Sequence, residues 1–365
     1  MTTVAPADTA ADQTSPTRPA GRGWPTGVLV GGAALWLAFT AAHLVFSGRW
    51  WLWLAVDTVP PVAFLLVPLA LGVGAAVSRR RAVALLAAAG LLLGAGLGGV
   101  NVRWWQGGDG TAPPDALRVF SWNTGYWDEW GETEALYRVL RDADADVYLL
   151  QEYWYEQGRP TEETIGRLRA EFPGFQVVVV GELVTLSRVP VLRQVPVEPV
   201  GLPPEVAEAG DEWRYKSLRT DLDIGGGRVL SAYNVHLPVQ LSPEHGPFDG
   251  DFYRIMREQR AQREPQWRAL ARDVADNPHP VLLAGDLNTT PAMGDLRKVP
   301  DGLRDAQYAM SSPYPASWAY RPGWPHWWRL DWAFVSPQVR VHSYQFGDAR
   351  GASDHRPQEL LVSLR

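Results

Sequence analysis

The sequence predicts an α+β sandwich preceded by three apolar, membrane-length segments, and three observations predict it. Residues 26–100 hold three long apolar runs with one carboxylate among them, Asp57. From Leu117 onward, short β-prone runs alternate with amphipathic helical stretches without a regular βα repeat, the pattern of mixed sheets rather than a doubly wound fold. Five short polar motifs then follow, or sit within, the predicted strands, and they place the chemistry.

The chain has 365 residues, of which 46% are apolar and 11% aromatic, enough for a substantial core. It has no cysteine, which excludes disulfides and thiolate metal sites. The net charge of −6 is unevenly placed. Residues 1–100 carry six Arg and three Asp, whereas residues 101–365 carry 28 basic and 37 acidic residues. An acidic domain argues against a charge-driven nucleic-acid binder and suits a site that recruits divalent cations.

Residues 1–25, rich in Ala, Thr, Pro and Gly, predict a disordered tail. The runs Thr26–Phe46, Leu52–Val77 and Ala82–Val100 each approach the ~20 residues a helix needs to cross a bilayer. Three such neighbours exclude a cleaved signal peptide. Arg79-Arg80-Arg81 joins the second and third runs, so the positive-inside rule puts that loop, Arg18 and Arg22 in the cytoplasm. Arg49 and Arg103 then lie outside, as do Trp50, Trp51, Trp53, Trp104 and Trp105, at headgroup level. Three spans make the protein multi-pass in the cell membrane, with a cytoplasmic N-terminus and an extracytoplasmic domain.

Residues 101–116 read as a linker, and the domain as residues 117–365. Strands are predicted at Leu117–Trp122, Asp146–Gln151, Phe175–Val180, Val184–Leu186, Arg228–Val235, Pro280–Ala284, Arg329–Val335 and Gln358–Ser363. Helices are predicted at Glu132–Ala143, Thr161–Phe172 and Asp251–Asp276, the last with Arg254, Arg257, Arg260 and Arg263 on a mostly solvated face.

The polar motifs are Trp122-Asn123, Gln151-Glu152, Asn234-Val235-His236, Gly285-Asp286-Leu287-Asn288 and Ser353-Asp354-His355, with Asp331 adding another acid. In the central one, Gly285 lets the backbone turn and strand alternation puts Asp286 and Asn288 on one face. A carboxylate beside an amide suits phosphoester hydrolysis: one takes a proton from water, the other holds a phosphate oxygen. Carboxylates, amides and imidazoles at the strand ends of one sandwich can meet in one cleft.

With these motifs the stretch Leu117 to Arg365 resembles the endonuclease/exonuclease/phosphatase family, which includes deoxyribonuclease I, abasic-site endonucleases, sphingomyelinases and inositol-polyphosphate 5-phosphatases. The resemblance implies a four-layer αββα, DNase I-like sandwich with a Mg²⁺-dependent site, Mn²⁺ being a substitute, at one end of the paired sheets. It implies Glu152 as main metal ligand, with Asn123 and Asp354 near the metal. Asp354 pairing with His355 is the other reading of that acid. Asn123 and Asn288 would bind phosphoryl oxygens. Asp286 would activate water, His236 and His355 would flank the phosphate, and Asp331 would orient a histidine. Where abasic-site endonucleases carry an acid two residues beyond the asparagine, this chain has Gly125, which argues against abasic-site repair. The site residue the family supplies between Gly181 and Asp223 has Tyr215, Lys216 and Arg219 as candidates.

Three spans joined to such a domain resemble a bacterial group that includes teicoplanin-resistance membrane proteins. The expected function is an extracytoplasmic Mg²⁺-dependent phosphoesterase acting on a phosphorylated lipid or lipid-linked cell-wall precursor. The alternatives are an outward-facing nuclease, with nucleic acid the less favoured partner, and a non-catalytic binding module. No protein partner is inferable. Trp324, Trp327 and Trp328 read as core, or as a rim loop that meets lipid.

Overall fold

A computed structural model describes residues 26–108, 111–126, 133–153, 162–240, 245–246, 248–321 and 323–365. The tail expected at 1–25 lies outside the described residues, as do Thr161 and Pro322.

Helix α1 is Thr26–Phe46. Within it, Gly27–Phe46 is the one helix among the described residues long and apolar enough to cross a membrane, at a mean hydropathy of 1.9. This corrects the expectation of three such helices. The second run is split: a 3₁₀ turn at Trp51–Trp53 and α2 (Leu54–Asp57) precede Pro60 and Pro61, and only then does α3 (Ala63–Ser78) begin. Proline lacks the N–H and restrains the residue before it, so no helix runs through that pair. The 16 residues of α3 reach ~24 Å, short of a ~30 Å hydrocarbon core. Helix α4 (Arg81–Gly94) passes into a 3₁₀ turn at Ala95–Leu97. The three long helices pack on one another around Ala33, Ala75 and Val83. Gly94 permits the close approach of α4 to α3, since a Cβ there would lie 2.9 Å from the Phe64 carbonyl oxygen.

The domain follows in the order β1 (Leu117–Asn123), α5 (Thr133–Ala143), β2 (Val147–Gln151), α6 (Glu162–Glu171), β3 (Gln176–Val180), β4 (Leu183–Ser187) and β5 (Val191–Pro196). Then come α7 (Pro204–Ala209), α8 (Asp211–Arg214), β6 (Ser217–Asp223), β7 (Val229–His236), α9 (Gly250–Asp276) and β8 (Val281–Asp286). Strands β9 (Arg304–Asp305), β10 (Asp331–Val335), β11 (Val339–Phe346) and β12 (Gln358–Leu364) complete it. One sheet runs β11-β12-β1-β2-β4-β3, the other β5-β6-β7-β8-β10-β9.

Alternation along each strand builds the layers. In β1 and β2, Val119, Val147 and Leu149 face the second sheet, meeting Ala232, Leu282, Ala284 and Val335. Phe120, Trp122 and Tyr148 face the other way, onto Leu136 and Leu140 of α5 and Leu168 of α6. Beyond the second sheet, Tyr233, Leu283 and Trp332 pack on Trp267, Leu270 and Val274 of α9. Helix, sheet, sheet, helix is the result. Strands β5, β6, β9 and β11 were not read from the sequence. In β6 the reason is visible: buried Arg219 and Asp221 pair with each other, 3.1 Å apart, so polar residues occupy core positions.

Candidate active site

Two parallel strand pairs carry the site. In the first sheet β1 and β2 run parallel with Asn123 opposite Gln151, and in the second β7 and β8 run parallel with His236 opposite Asp286. Antiparallel β10 brings Asp331 opposite Asp286 on its other side. Gln151 and Asn234 clasp the two sheets: Gln151 Nε2 donates to Asn234 Oδ1 at 2.6 Å, and Asn234 Nδ2 donates to the Leu150 and Val184 carbonyls.

Gly285 acts differently from its expected role. The strand continues through it to Asp286, and φ is 149°. A Cβ there would lie 1.9 Å from the Val235 carbonyl oxygen, so close strand contact, not a turn, requires glycine. The turn comes later. Asn288 is left-handed, with φ 45°, and its N–H donates to Asp286 Oδ1 at 2.7 Å, an Asx turn that seats both side chains at the cleft.

The four central groups meet. His236 Nε2 lies 3.4 Å from Glu152 Oε1 and 3.8 Å from Asp286 Oδ2, and His355 Nε2 lies 3.6 Å from the same Asp286 oxygen. Each imidazole is held from behind by a carboxylate. Asp331 Oδ2 is 2.8 Å from His355 Nδ1, and Glu182 Oε1 is 2.9 Å from His236 Nδ1. Asn288 Nδ2 lies 3.4 Å from His236 Nε2 and donates to the Leu237 carbonyl. Asn123 is buried beside the site acids: it donates to Asp286 Oδ2 at 3.0 Å, accepts from the Gly125 N–H, and its side chain also hydrogen-bonds Glu152. Asp354 lines the cavity, and its Oδ2 accepts from Trp318 Nε1 at 2.7 Å; the partner of His355 is Asp331, not Asp354.

Sequence reasoning missed Glu182. It sits in the tight turn after Gly181 (φ 56°), outside every motif, and it also holds buried Lys216 by an ion pair. Its signal was a lone acid in the Val-rich run 176–186. Of the expected solvated arginines on α9, Arg263 is buried instead, donating to the Leu287 carbonyl at 3.1 Å and Thr289 Oγ1 at 2.8 Å and so bracing the segment after Asp286.

Burial pushes the Glu152 carboxyl up to about 7, against the pull of His236. Burial also raises Asp286, which His355 opposes. Glu182 goes the other way: burial would raise it, but Lys216 and His236 hold it at about 2. Both imidazoles keep their protons above the usual histidine range. Burial works against this, but Glu182 outweighs it at His236, and Asp331 with Asp286 outweighs it more strongly at His355.

The donors fit a hard divalent cation. Asp286 and Asp331 bring carboxylate oxygens within 4.8 Å of each other beside His355, and Asp331 Oδ1 is buried without a hydrogen-bond partner among the described residues. Glu152, half-buried, adds a further carboxylate beside them.

The profile of the Endonuclease/Exonuclease/phosphatase family matches residues 120–355. The chain belongs to this family. Its members are hydrolases of phosphoester bonds and typically depend on a divalent metal. Among solved structures, a Bacteroides vulgatus endonuclease/exonuclease/phosphatase is 19% identical, with a TM-score of 0.51 over 68% of this chain and 99% of that one, and it shows the same fold. The mannosyl-6-phosphatase of Bacteroides thetaiotaomicron is 15% identical, with a TM-score of 0.48 over 68% of this chain and 100% of that one. A Neisseria 3' phosphatase bound to a product DNA hairpin is also 15% identical, at 0.46 over 68% and 100%. No curated protein matches this chain.

Proposed function

We propose that the protein is a membrane-anchored, Mg²⁺-dependent phosphoesterase facing the extracytoplasmic side. Its substrate in this reading is a phosphate ester or pyrophosphate of a lipid or lipid-linked cell-wall precursor. The observation that carries the chemistry is the convergence of Glu152, His236, Asp286 and His355 on one cavity, with neighbouring atoms 3.4–3.8 Å apart.

The reaction forms one P–O bond to water and breaks the P–O bond to the leaving group. Asp286, whose carboxyl burial raises above the usual aspartate range, accepts the water proton as the new bond forms. His236 and His355 face the phosphoryl group as imidazoliums. One gives its proton to the departing oxygen, and both offset the charge that builds on the phosphorus oxygens. Asn288 offers an amide N–H to the same oxygens. Glu152, with Asp286 or Asp331, would hold the metal, which supplies Lewis-acid neutralisation and aligns the water.

Support for anchoring comes from the amino-terminal bundle. Leu35, Val77, Leu85 and Leu92 stand 72–82% exposed on its outer faces. Large apolar side chains displayed in this way favour a lipid environment over water. Helix α1 crosses, and the shorter α3 and α4 lie beside it, meeting at Arg79-Arg80-Arg81 on the face far from the domain. Half-exposed Trp50, Trp104 and Trp105 ring the near face. The resemblance to teicoplanin-resistance membrane proteins extends the proposal to lipid-linked wall precursors.

The test uses the full chain in lipid nanodiscs with Mg²⁺ or EDTA, against a lipid phosphate, a soluble phosphate ester and plasmid DNA, with Asp286→Ala alongside. Metal-dependent release from the lipid phosphate, lost in the variant, is expected. Equal release by both proteins would refute the reading, and nicked plasmid with untouched lipid would replace it by the nuclease.

A further inference from the structure

The cleft is larger than its chemistry needs. It encloses about 630 Å³, the size that ordinarily buries a whole small molecule, yet Glu152, His236, Asp286 and His355 cluster at one part of its lining. Elsewhere much of the wall is apolar and aromatic, with Gln240, Gln259 and Glu212 among its polar members: Trp213 comes from α8, Val239 follows β7, Phe252 comes from α9, and Tyr320 and Trp328 come from the segment before β10. Trp213, Val239 and Tyr320 are each more than 40% exposed, an unfavourable display for side chains that neither fill a core nor contact phosphate. One lining residue comes from outside the domain. Thr58, between α2 and α3, lines the same cavity.

That outer wall is fixed in place. Trp328 Nε1 donates to the Thr58 carbonyl at 3.1 Å. Trp51 and Leu54 pack with Phe252 and Met256, and Arg257 lies over the Trp51 ring at 4.6 Å. The Gly294 N–H donates to Ser47 Oγ at 2.8 Å, and Arg297 donates to the Ser47 carbonyl at 2.5 Å. Gly48 and Gly294 allow backbone to meet backbone there: a Cβ on Gly48 would lie 2.6 Å from the Gly294 carbonyl carbon, and one on Gly294 would lie 2.1 Å from the Ser47 oxygen. A segment held this closely is part of the site's architecture, not a swinging tether. It is also the place where α1 ends and α3 begins, so anchoring through α1 would hold the Thr58 side of the cavity near the headgroup layer.

We propose that the cavity between the Thr58 loop and the domain is a subsite for the hydrocarbon tail of an amphiphilic phosphate ester. The amino-terminal segment and the domain then grip one substrate together. The inference rests on the phosphoesterase reading for the head of that substrate, and its test does not need turnover.

Calorimetric titration of the full chain in nanodiscs with butyl-, hexyl- and octylphosphonate, corrected by empty discs, reads tail binding, because the P–C bond resists hydrolysis. Each methylene that enters the cavity should tighten binding about threefold to fourfold. Val239→Asp and Thr58→Arg, one from each wall and both at exposed positions, should shrink the octyl-to-butyl ratio at least tenfold. That ratio is taken within each variant, so a general loss of affinity does not mimic it. Equal affinities across the series would overturn the proposal, as would tighter binding of a glycerol-bearing phosphonate than of octylphosphonate, or a wild-type ratio in both variants. Turnover of the matching phosphate esters tests the phosphoesterase reading separately: absent hydrolysis with an intact chain-length dependence would sink that reading and leave the tail subsite standing.

Discussion

The two histidine corners of the site are built alike and charged differently. His236 ends β7 in the second sheet and is gripped by Glu182 from the first; His355 precedes β12 of the first sheet and is gripped by Asp331 from the second. Each imidazole therefore needs both sheets to be in place. The difference lies behind the carboxylates. Glu182 shares its charge with Lys216, whereas the free oxygen of Asp331 has no partner among the described residues. One corner is a closed ion-pair network, and the other keeps uncompensated negative charge beside Asp286. The second corner therefore holds the imidazole whose proton is more firmly kept, and the first ties the two sheets together through Glu182, Lys216 and His236.

Removing the group common to both corners should have the largest effect. Asp286→Asn is expected to lower kcat/KM about 10⁴-fold, read as phosphate release, because the proposed mechanism loses its base. His355→Gln should lower kcat about 10³-fold and His236→Gln about 10²-fold. Three carboxylates, Asp331, Asp286 and Asp354, support the charge on His355, while at His236 Lys216 weakens the field of Glu182 and Glu152. Equal losses would break the distinction between the corners.

Lys216→Met should destabilise the fold by about 3 kcal/mol in a urea titration, since it strands Glu182 at 2% exposure. Adding Glu182→Gln should restore most of that loss. No comparable rescue pair exists for Asp331. The stabilisation from Glu182 has the ordinary carboxylate sign: its folded value is depressed to about 2, so it is present above the usual glutamate range and fades as the pH falls through about 2.

Glu152 has the opposite sign, and the smallest expected effect is the pH dependence it gives metal binding. Raised to about 7, it is protonated in the metal-free fold below that pH. Mg²⁺ must displace the proton, so its Kd should rise about tenfold per unit as the pH falls below 7, measured by calorimetry. Glu152→Gln should remove the slope. In the metal-free protein the same group favours the fold most at low pH, and that contribution declines as the pH rises towards 7.

Much of the fold was legible because its signals are local. Apolar runs such as Val147–Gln151 and Val281–Asp286 announce buried strands, and the polar residues that end them stand out by contrast. Glu182 was not legible, since nothing in a turn between two Val-rich strands says that it reaches a histidine 54 positions on. Strand β6 was hidden because Arg219, buried by its pairing with Asp221 and Asp273, reads in sequence as a surface residue. The apolar region 26–100 was plain by composition, but composition counts residues and not unbroken hydrogen-bonded turns: the break at Pro60-Pro61 shortened the second expected helix, and the 3₁₀ turn at Ala95–Leu97 the third.

The sequence by itself determined the strand-end chemistry: an acid, an amide or an imidazole at the close of each central strand, because a strand's burial pattern is written in consecutive residues. Only the tertiary structure decided which of these groups touch, which carboxylate holds which histidine, and that the apolar amino-terminal segment walls the cavity. Those depend on contacts between residues far apart in the chain, where the energy comes from close packing and shared burial that no local window contains.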